Sequence, residues 1–230
     1  MLLNLLLEFH WTEILQPQFY IDHGGLWLLL FVIFAETGLF VGFFLPGDSL
    51  LFVAGIYCKE IIEVYIPTGN EILDLFILFI LISIAGILGN SAGYWFGRKI
   101  GPAMFSWKDR FLFKQRYLMQ AQEFYDKHGG GAIIVARFLP IIRTFAPIVA
   151  GIVRMDKKKF VFFNMIGCLA WVFSMLFAGH FLQKWILTQF NFDLKEHLEI
   201  IVLGIVVVTT APVLVKLIFG GKKKSASNQG

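Results

Sequence analysis

Ionisable side chains are scarce in this sequence: Asp, Glu, Lys and Arg supply only 16% of its 230 residues, against about 25% in an ordinary soluble domain. Hydrophobic residues make up 57% and the mean hydropathy is +0.72, so the chain reads as an integral membrane protein rather than a soluble domain. Cysteine is nearly absent. Cys58 and Cys168 stand alone in or beside apolar segments, which excludes a disulfide framework or a thiolate metal site and leaves both as filler in the core or against lipid. His10, His23, His128, His180 and His197 share no metal-ligand spacing, so no zinc is expected. No nucleophile elbow, phosphate loop or dinucleotide fingerprint occurs. The chain is therefore expected to be no enzyme and to hold no cofactor.

Basic residues outnumber acidic ones, giving a net charge of +4 and a pI near 9.0. They stand in short runs beside apolar segments, the pattern of positive-inside topology rather than of a nucleic-acid surface. No nucleic-acid partner is expected. The N-terminus, MLLNLLLEFHWTEIL, lacks the basic residues of a signal peptide and contains Glu8 and Glu13. Residues 1–25 are thus expected to form an interfacial amphipathic helix that stays on the protein.

Three apolar stretches, at 75–97, 160–181 and 198–219, are long enough to cross a hydrocarbon core of ~30 Å at ~1.5 Å per residue. Residues 26–45 are also apolar apart from Glu36, but Pro46-Gly47 breaks the helix and leaves 49–56 room for only half a return. A re-entrant hairpin over 26–56 is expected, with a span bent at its end as the alternative. Residues 57–74 read as a polar loop. Residues 98–128 are basic, and Phe113, Tyr117, Gln120, Ala121 and Phe124 recur there at helical spacing, as in an amphipathic helix on the membrane surface. Gly86, Gly89 and Gly93 in the first long span would let another helix come close. The expected organisation is an interfacial helix (1–25), a membrane domain (26–184), an outer loop with the last span (185–219) and a basic polar tail (220–230).

The most informative stretch is ARFLPIIRTFAPIVAGI at 136–152, an apolar run with two arginines and two prolines. Its prolines predict two short helical pieces joined by irregular backbone, with breaks at Pro140 and Pro147. An earlier stretch repeats its frame: FLP at 44–46 matches 138–140, and VAGI at 53–56 matches 149–152. If 129–153 also folds back, fifteen of the twenty Lys and Arg residues fall on one side, and Lys59, Lys184 and Lys195 on the other. Treating it as a full span would split the basic runs between both faces, against the positive-inside bias. The predicted fold is therefore all-α and polytopic: an inverted repeat of two re-entrant proline-broken hairpins with transmembrane helices and amphipathic surface helices. In transporters such repeats set broken helices face to face at the midplane around a substrate site.

Glu36 and Asp48 lie by the first break, Arg137 and Arg143 by the second. Charges in hydrocarbon are costly, so these four should face one another or an internal cavity. One reading is structural, as ion pairs that lock the two hairpins together. The functional reading gives Arg137 and Arg143 a phosphate headgroup, which the guanidinium fork matches, and gives Glu36 and Asp48 proton exchange. Asn90 and Asn164 suit an interhelical hydrogen bond, with site lining as the alternative. Arg98 suits an interfacial cation, or a guide for an anionic lipid head. The tryptophans read mostly as belt residues at the interfaces.

Three motifs together, ETGLFVGFFLPGDSLLFVAGI at 36–56, GNSAGYWFGRKIG at 89–101 and RFLPIIRTFAPIVAGI at 137–152, resemble the bacterial DedA family. The likeness covers 26–181. It implies a multi-pass inner-membrane protein with two re-entrant helices facing each other, the fold shared with eukaryotic VTT-domain lipid scramblases. Members of that family are implicated in returning polyprenyl phosphate, notably undecaprenyl phosphate, to the cytoplasmic leaflet in dependence on the proton motive force. The family's acidic pair falls on Glu36 and Asp48 and its arginine pair on Arg137 and Arg143, without departure. The expected function is accordingly a proton-coupled flippase of that lipid carrier, with membrane lipids and protons as partners and the C-terminus cytoplasmic. A proton-coupled small-ion transporter or antiporter and a general phospholipid scramblase are the alternatives. Nothing in the sequence excludes a homo-oligomer.

Overall fold

Two long apolar helices frame the described residues, and capping residues explain where both begin and where the second ends. The computed structural model of the chain describes residues 25–39, 47–106, 130–197 and 204, and all regular structure among them is helical. In chain order the helices are α1 (Gly25–Gly38), α2 (Gly47–Ile56), α3 (Cys58–Glu63), α4 (Glu71–Ser106), α5 (Gly131–Arg137), α6 (Pro140–Ile152) and α7 (Lys157–Phe190), followed by a 3-10 turn at Leu194–His197. The expected interfacial helix, most of the surface amphipathic segment, nearly all of the last span and the tail lie outside the described residues.

At the start of α4, Asn70 Oδ1 accepts from the N–H groups of Ile72 and Leu73 at 3.0 and 3.3 Å. Glu71 and Asp74 stand at the positive end of the helix dipole. Helix α7 starts with Asp156 accepting from the Lys159 N–H at 2.9 Å and ends on Asn191 in the left-handed conformation, φ 49. Glu71–Gly101 and Lys157–Phe190, 31 and 34 residues, are long and apolar enough to cross a membrane. Both outrun the predicted 75–97 and 160–181, because hydropathy marks the apolar middle of a helix and its caps mark the ends. They pack antiparallel: Glu71 meets Lys184, Phe76 meets Phe177, Phe79 meets Phe173, the Cys168 thiol reaches the Ser83 carbonyl, and Asn90 meets Asn164.

Helices α1, α2, α5 and α6 have 14, 10, 7 and 13 residues, at most about 21 Å. Helices α1 and α6 pack on α4, and α2 and α5 on α7. Each runs parallel to its long partner: Ile33 lies by Gly86 and Gly38 by Gly93, Ile148 by Gly97 and Ile152 by Gly101, Gly130 by Phe163 and Ile134 by Gly167. On α2, Asp48 meets Trp171 and Gly55 meets Leu176. The two VAGI copies seat through their glycines. A Cβ on Gly151 would stand 2.1 Å from the Tyr94 carbonyl oxygen, and one on Gly55 2.0 Å from that of Leu176. Only Gly permits backbones to approach this closely.

The main core lies between α1, α2, α3, α4 and α7, with Leu29, Ile33, Leu51, Ile62, Leu78, Ile82, Trp171 and Leu176 fully buried. At the opposite end of the seam, Tyr94 stacks on Phe160 with centroids 4.3 Å apart, beside Ile133 and Ala150. The outer faces carry large apolar side chains such as Phe31, Ile80, Ile84, Leu88, Phe162 and Phe173.

Two local expectations are corrected. The stretch at 57–74 is not all loop, because Cys58, Ile61 and Ile62 share one helical face and bury it in α3; the charges of Lys59, Glu60 and Glu63 on the other face hide that pattern. Only one of the two expected breaks in the arginine stretch occurs. The chain leaves helical geometry at Leu139 (φ −110, ψ 105) and resumes at Pro140, where a proline's missing N–H costs nothing. Pro147 sits inside α6, held by the bonds from Arg143 N to Leu139 O and from Val153 N to Val149 O on either side. Arg143 is therefore in the first turn of a helix and not in irregular backbone.

Candidate functional site

The four short helices bring their ends to one place. Glu36 lies in the last turn of α1, Asp48 in the first turn of α2, Arg137 at the last residue of α5 and Arg143 in the first turn of α6. Arg143 holds both carboxylates at once: Nη1 donates to Asp48 Oδ1 and Nη2 to Glu36 Oε1. All three side chains are nearly enclosed, Arg143 and Asp48 at 11% exposure and Glu36 at 3%.

Arg137 is placed differently. Its Nη2 donates to Asn164 Oδ1 at 2.7 Å, and the same oxygen accepts from Asn90 Nδ2 at 2.9 Å. No carboxylate among the described residues pairs with this buried cation. Asn90 and Asn164 thus make the expected interhelical bond, and Asn164 also accepts from Arg137. Arg98 does not join them. It is exposed, and its Nη1 donates at 2.7 Å to Tyr94 Oη, which donates at 2.6 Å to the Met155 carbonyl. Arg98 therefore stays with the α6–α7 connection, its more ordinary role as an interfacial cation.

Trp171 is the residue that sequence reasoning missed. Read as a belt residue, it is 1% exposed and sits at the centre of the cluster. Its Nε1–H donates to Asp48 Oδ1 at 2.9 Å, and its ring centroid lies 4.9 Å from the Arg143 guanidinium carbon and 5.8 Å from that of Arg137. Both cations lie within cation–π range. Its position in mid-span, far from either interface, was the available signal. Gly47 is a second missed residue: a Cβ there would fall 1.5 Å from Glu36 Oε2, so only Gly lets α2 begin against that carboxyl.

Helix dipoles sort the four charges into two kinds. Asp48 at a helix N-terminus and Arg137 at a helix C-terminus are each favoured by their own helix. Glu36 at a C-terminus and Arg143 at an N-terminus are each opposed, and they bond to each other. Asp48 has two donors, whereas Glu36 Oε2 is buried without a hydrogen-bond partner. Glu36 is thus the less supported of the two anions, and Arg137 the cation with donors left to offer. Among the described residues no group of His, Cys, Asp and Glu is placed to hold a metal ion.

Comparison with known proteins identifies the family. The VTT domain model matches residues 45–181, which takes in α2, α3, α4, α5, α6 and most of α7. Protein DedA of Escherichia coli is 40% identical over 197 residues, 84% of each chain. An uncharacterized membrane protein of Mycobacterium leprae is 35% identical over 92% of this chain and 90% of its own. Inner membrane protein YqjA of Escherichia coli is 32% identical over 70% of this chain and 69% of its own. No solved structure matches significantly. Two helices long and apolar enough to cross a membrane and a matching VTT domain, with these relatives across most of the length, make the chain a member of the DedA family of membrane proteins.

Proposed function

We propose that the chain is a proton-coupled transporter that returns a polyprenyl phosphate carrier, undecaprenyl phosphate, to the cytoplasmic leaflet of a bacterial inner membrane. The observation that carries this reading is the unequal use of the two arginines: Arg143 is clasped by Glu36 and Asp48, while Arg137 has no carboxylate among the described residues. A buried guanidinium in this condition is matched to an incoming anion, and its planar fork fits two phosphate oxygens. Arg137 would take the phosphate first. A proton on Glu36, the less supported carboxylate, would release one arm of Arg143 to the same phosphate. Loss of that proton on the other side would restore the Arg143–Glu36 bond and eject the anion. The isoprenoid tail would stay in lipid, alongside the exposed Val135, Phe138, Leu139 and Ile142 at the α5–α6 break.

The helix directions support two re-entrant hairpins. Helices α1 and α2 are each too short to cross ~30 Å, and lie parallel to antiparallel partners, so the chain enters and returns to one side; α5 and α6 do so from the other. Each half contributes one long helix, and each VAGI helix packs on the long helix of the opposite half, as an inverted repeat would arrange it. The tips then meet at the midplane with the four charges between them. The end holding Arg98, Lys99, Arg154 and Lys157 to Lys159 would be cytoplasmic.

Reconstitution into liposomes with undecaprenyl phosphate in one leaflet tests the proposal. Wild type is expected to move the lipid in response to a pH gradient and Arg143→Ala to leave it in place. Equal rates for the two would sink the reading, and proton movement tied to a small ion in liposomes without the carrier would replace it with ion transport.

A further inference from the structure

The end of the α4–α7 seam away from the arginines holds a second set of buried ionisable groups that the anion cluster does not use. Asp74, in the first turn of α4, is fully buried. Its Oδ1 accepts from Thr68 Oγ1 at 2.5 Å. Its Oδ2 has no hydrogen-bond partner, and no cation among the described residues pairs with it. His180, on α7, is 4% exposed. Its Nδ1 lies 3.5 Å from Cys58 Sγ, and its Nε2 has no partner. Cys58, on α3, closes the group, its Sγ 4.0 Å from the Glu71 carbonyl oxygen.

Burial and the carboxylates of Glu71, Glu60 and Asp74 push the Cys58 thiol up to about 12, so the thiol keeps its proton, which it directs at the Glu71 carbonyl. The cluster then contains two buried polar atoms without a hydrogen-bond partner, His180 Nε2 and Asp74 Oδ2. Helix capping does not account for this. The Asn70 side chain caps α4 and the Asp74 N–H bonds to the Asn70 carbonyl at 3.0 Å, which needs neither the second carboxyl oxygen nor the imidazole.

We propose that Asp74 and His180 form a proton-loading site at the outer mouth of the protein, exchanging with the outside solution past Thr68 and serving Glu36 and Asp48. This inference rests on the proton-coupled reading above. Thr68 is half-buried while residues 64–67 beside it are exposed, so its hydroxyl stands at the boundary between solvent and the buried carboxyl. The charged groups facing the site are Glu60 from α3, Glu71 from α4, Lys184 from α7 and Lys195 from the 3-10 turn. Lys184 bonds Glu71 at 3.3 Å and Lys195 bonds Glu60, so both cations are held at more exposed carboxylates and Asp74 keeps no counter-ion among the described residues. Further along α4 stand Ser83, whose Oγ also lacks a partner, and Asn90, about 13 and 24 Å from Asp74 at the helical rise and roughly half a turn round the helix from it.

Proton binding by the purified protein, titrated between about pH 5 and 8 where an imidazole exchanges, tests the site. Asp74→Asn/His180→Gln is expected to bind fewer protons than wild type over that range, with Glu36→Gln removing a separate share. In liposomes the dependence of transport on outside pH is expected to flatten in the same variant. Unchanged proton binding and an unchanged pH slope in the folded double variant overturn the proposal. Should Asp74→Asn prevent folding, Thr68→Val with His180→Gln leaves the Asn70 side-chain cap of α4 in place and is held to the same two outcomes. The titration reads protons on the protein, so it decides even if wild type moves neither lipid nor ion.

Discussion

The Trp171 indole N–H donates to Asp48 Oδ1 at 2.9 Å, while the face of the same ring lies 4.9 Å from the Arg143 guanidinium carbon. One side chain from α7 therefore holds the anion and the cation of an ion pair formed between α2 and α6. Its two contacts can be separated by mutation. Trp171→Phe keeps a ring and removes the donor, for an expected loss of about 1.5–3 kcal/mol, the range for a hydrogen bond to a charged group. Trp171→Leu removes the ring face as well, and should lose up to about 2 kcal/mol more for a desolvated cation–π contact. Thermal unfolding of the purified variants gives the order. Equal losses would mean that the ring face contributes nothing.

Among the described residues Arg143 is the one cation paired with Glu36 and Asp48, so its removal leaves two uncompensated buried carboxylates. Arg143→Gln is expected to lose ~3–5 kcal/mol, as when one partner of a buried pair is removed. Adding Glu36→Gln to it should restore part of that loss, because one buried charge goes with it. A double-mutant cycle on stability measures the coupling, expected at roughly 0.5–3 kcal/mol for residues in contact. Transport should be absent in both variants. Recovery of stability without recovery of transport separates the structural role of the pair from its function.

The tight seat of Glu36 against Gly47 gives a steric test. A Cβ at position 47 would stand 1.5 Å from Glu36 Oε2, so Gly47→Ala must displace the carboxyl or the start of α2. Overpacking of this kind typically costs about 1–3 kcal/mol. Glu36→Asp shortens the side chain by one methylene, and Gly47→Ala/Glu36→Asp is expected to be more stable than Gly47→Ala alone. A melting comparison of the two checks it; no difference would mean that the strain is relieved elsewhere.

How far the sequence revealed this arrangement depended on the kind of signal. Long apolar runs exposed α4 and α7, and the scarcity of charge made Glu36, Asp48, Arg137 and Arg143 conspicuous. Period and charge count do not carry contact, so the sequence could not say that Arg143 would take both carboxylates while Arg137 turned to Asn164. Trp171 was hidden because tryptophan is common at membrane interfaces and its burial depends on where α2 packs. Gly47 was visible only as a helix breaker, since its second role needs Glu36 beside it in space. Pro147 misled because one lost bond need not end a helix, and α6 runs on through it, with helical bonds at Arg143 before it and at Val153 after it.

The proposed re-entrant hairpins make a sharp statement about sidedness. Lys59 lies just after α2, and Lys157 opens α7 after α6. If both hairpins fold back to the side they entered from, α4 is the one crossing between these positions, and the two lysines stand on opposite faces. The natural cysteines do not interfere: Cys58 is 1% exposed and Cys168 0%, and the Cys58 thiol is pushed up to about 12 by burial and nearby carboxylates, so neither presents a thiolate to a reagent. Both lysine positions lie in exposed parts of their helices. In intact cells a membrane-impermeant maleimide is therefore expected to label Lys59→Cys and to label Lys157→Cys only after the membrane is opened. Labelling of both from outside would mean that one hairpin crosses the membrane, and the charges of Arg98, Lys99 and Lys157 to Lys159 would then no longer share a side.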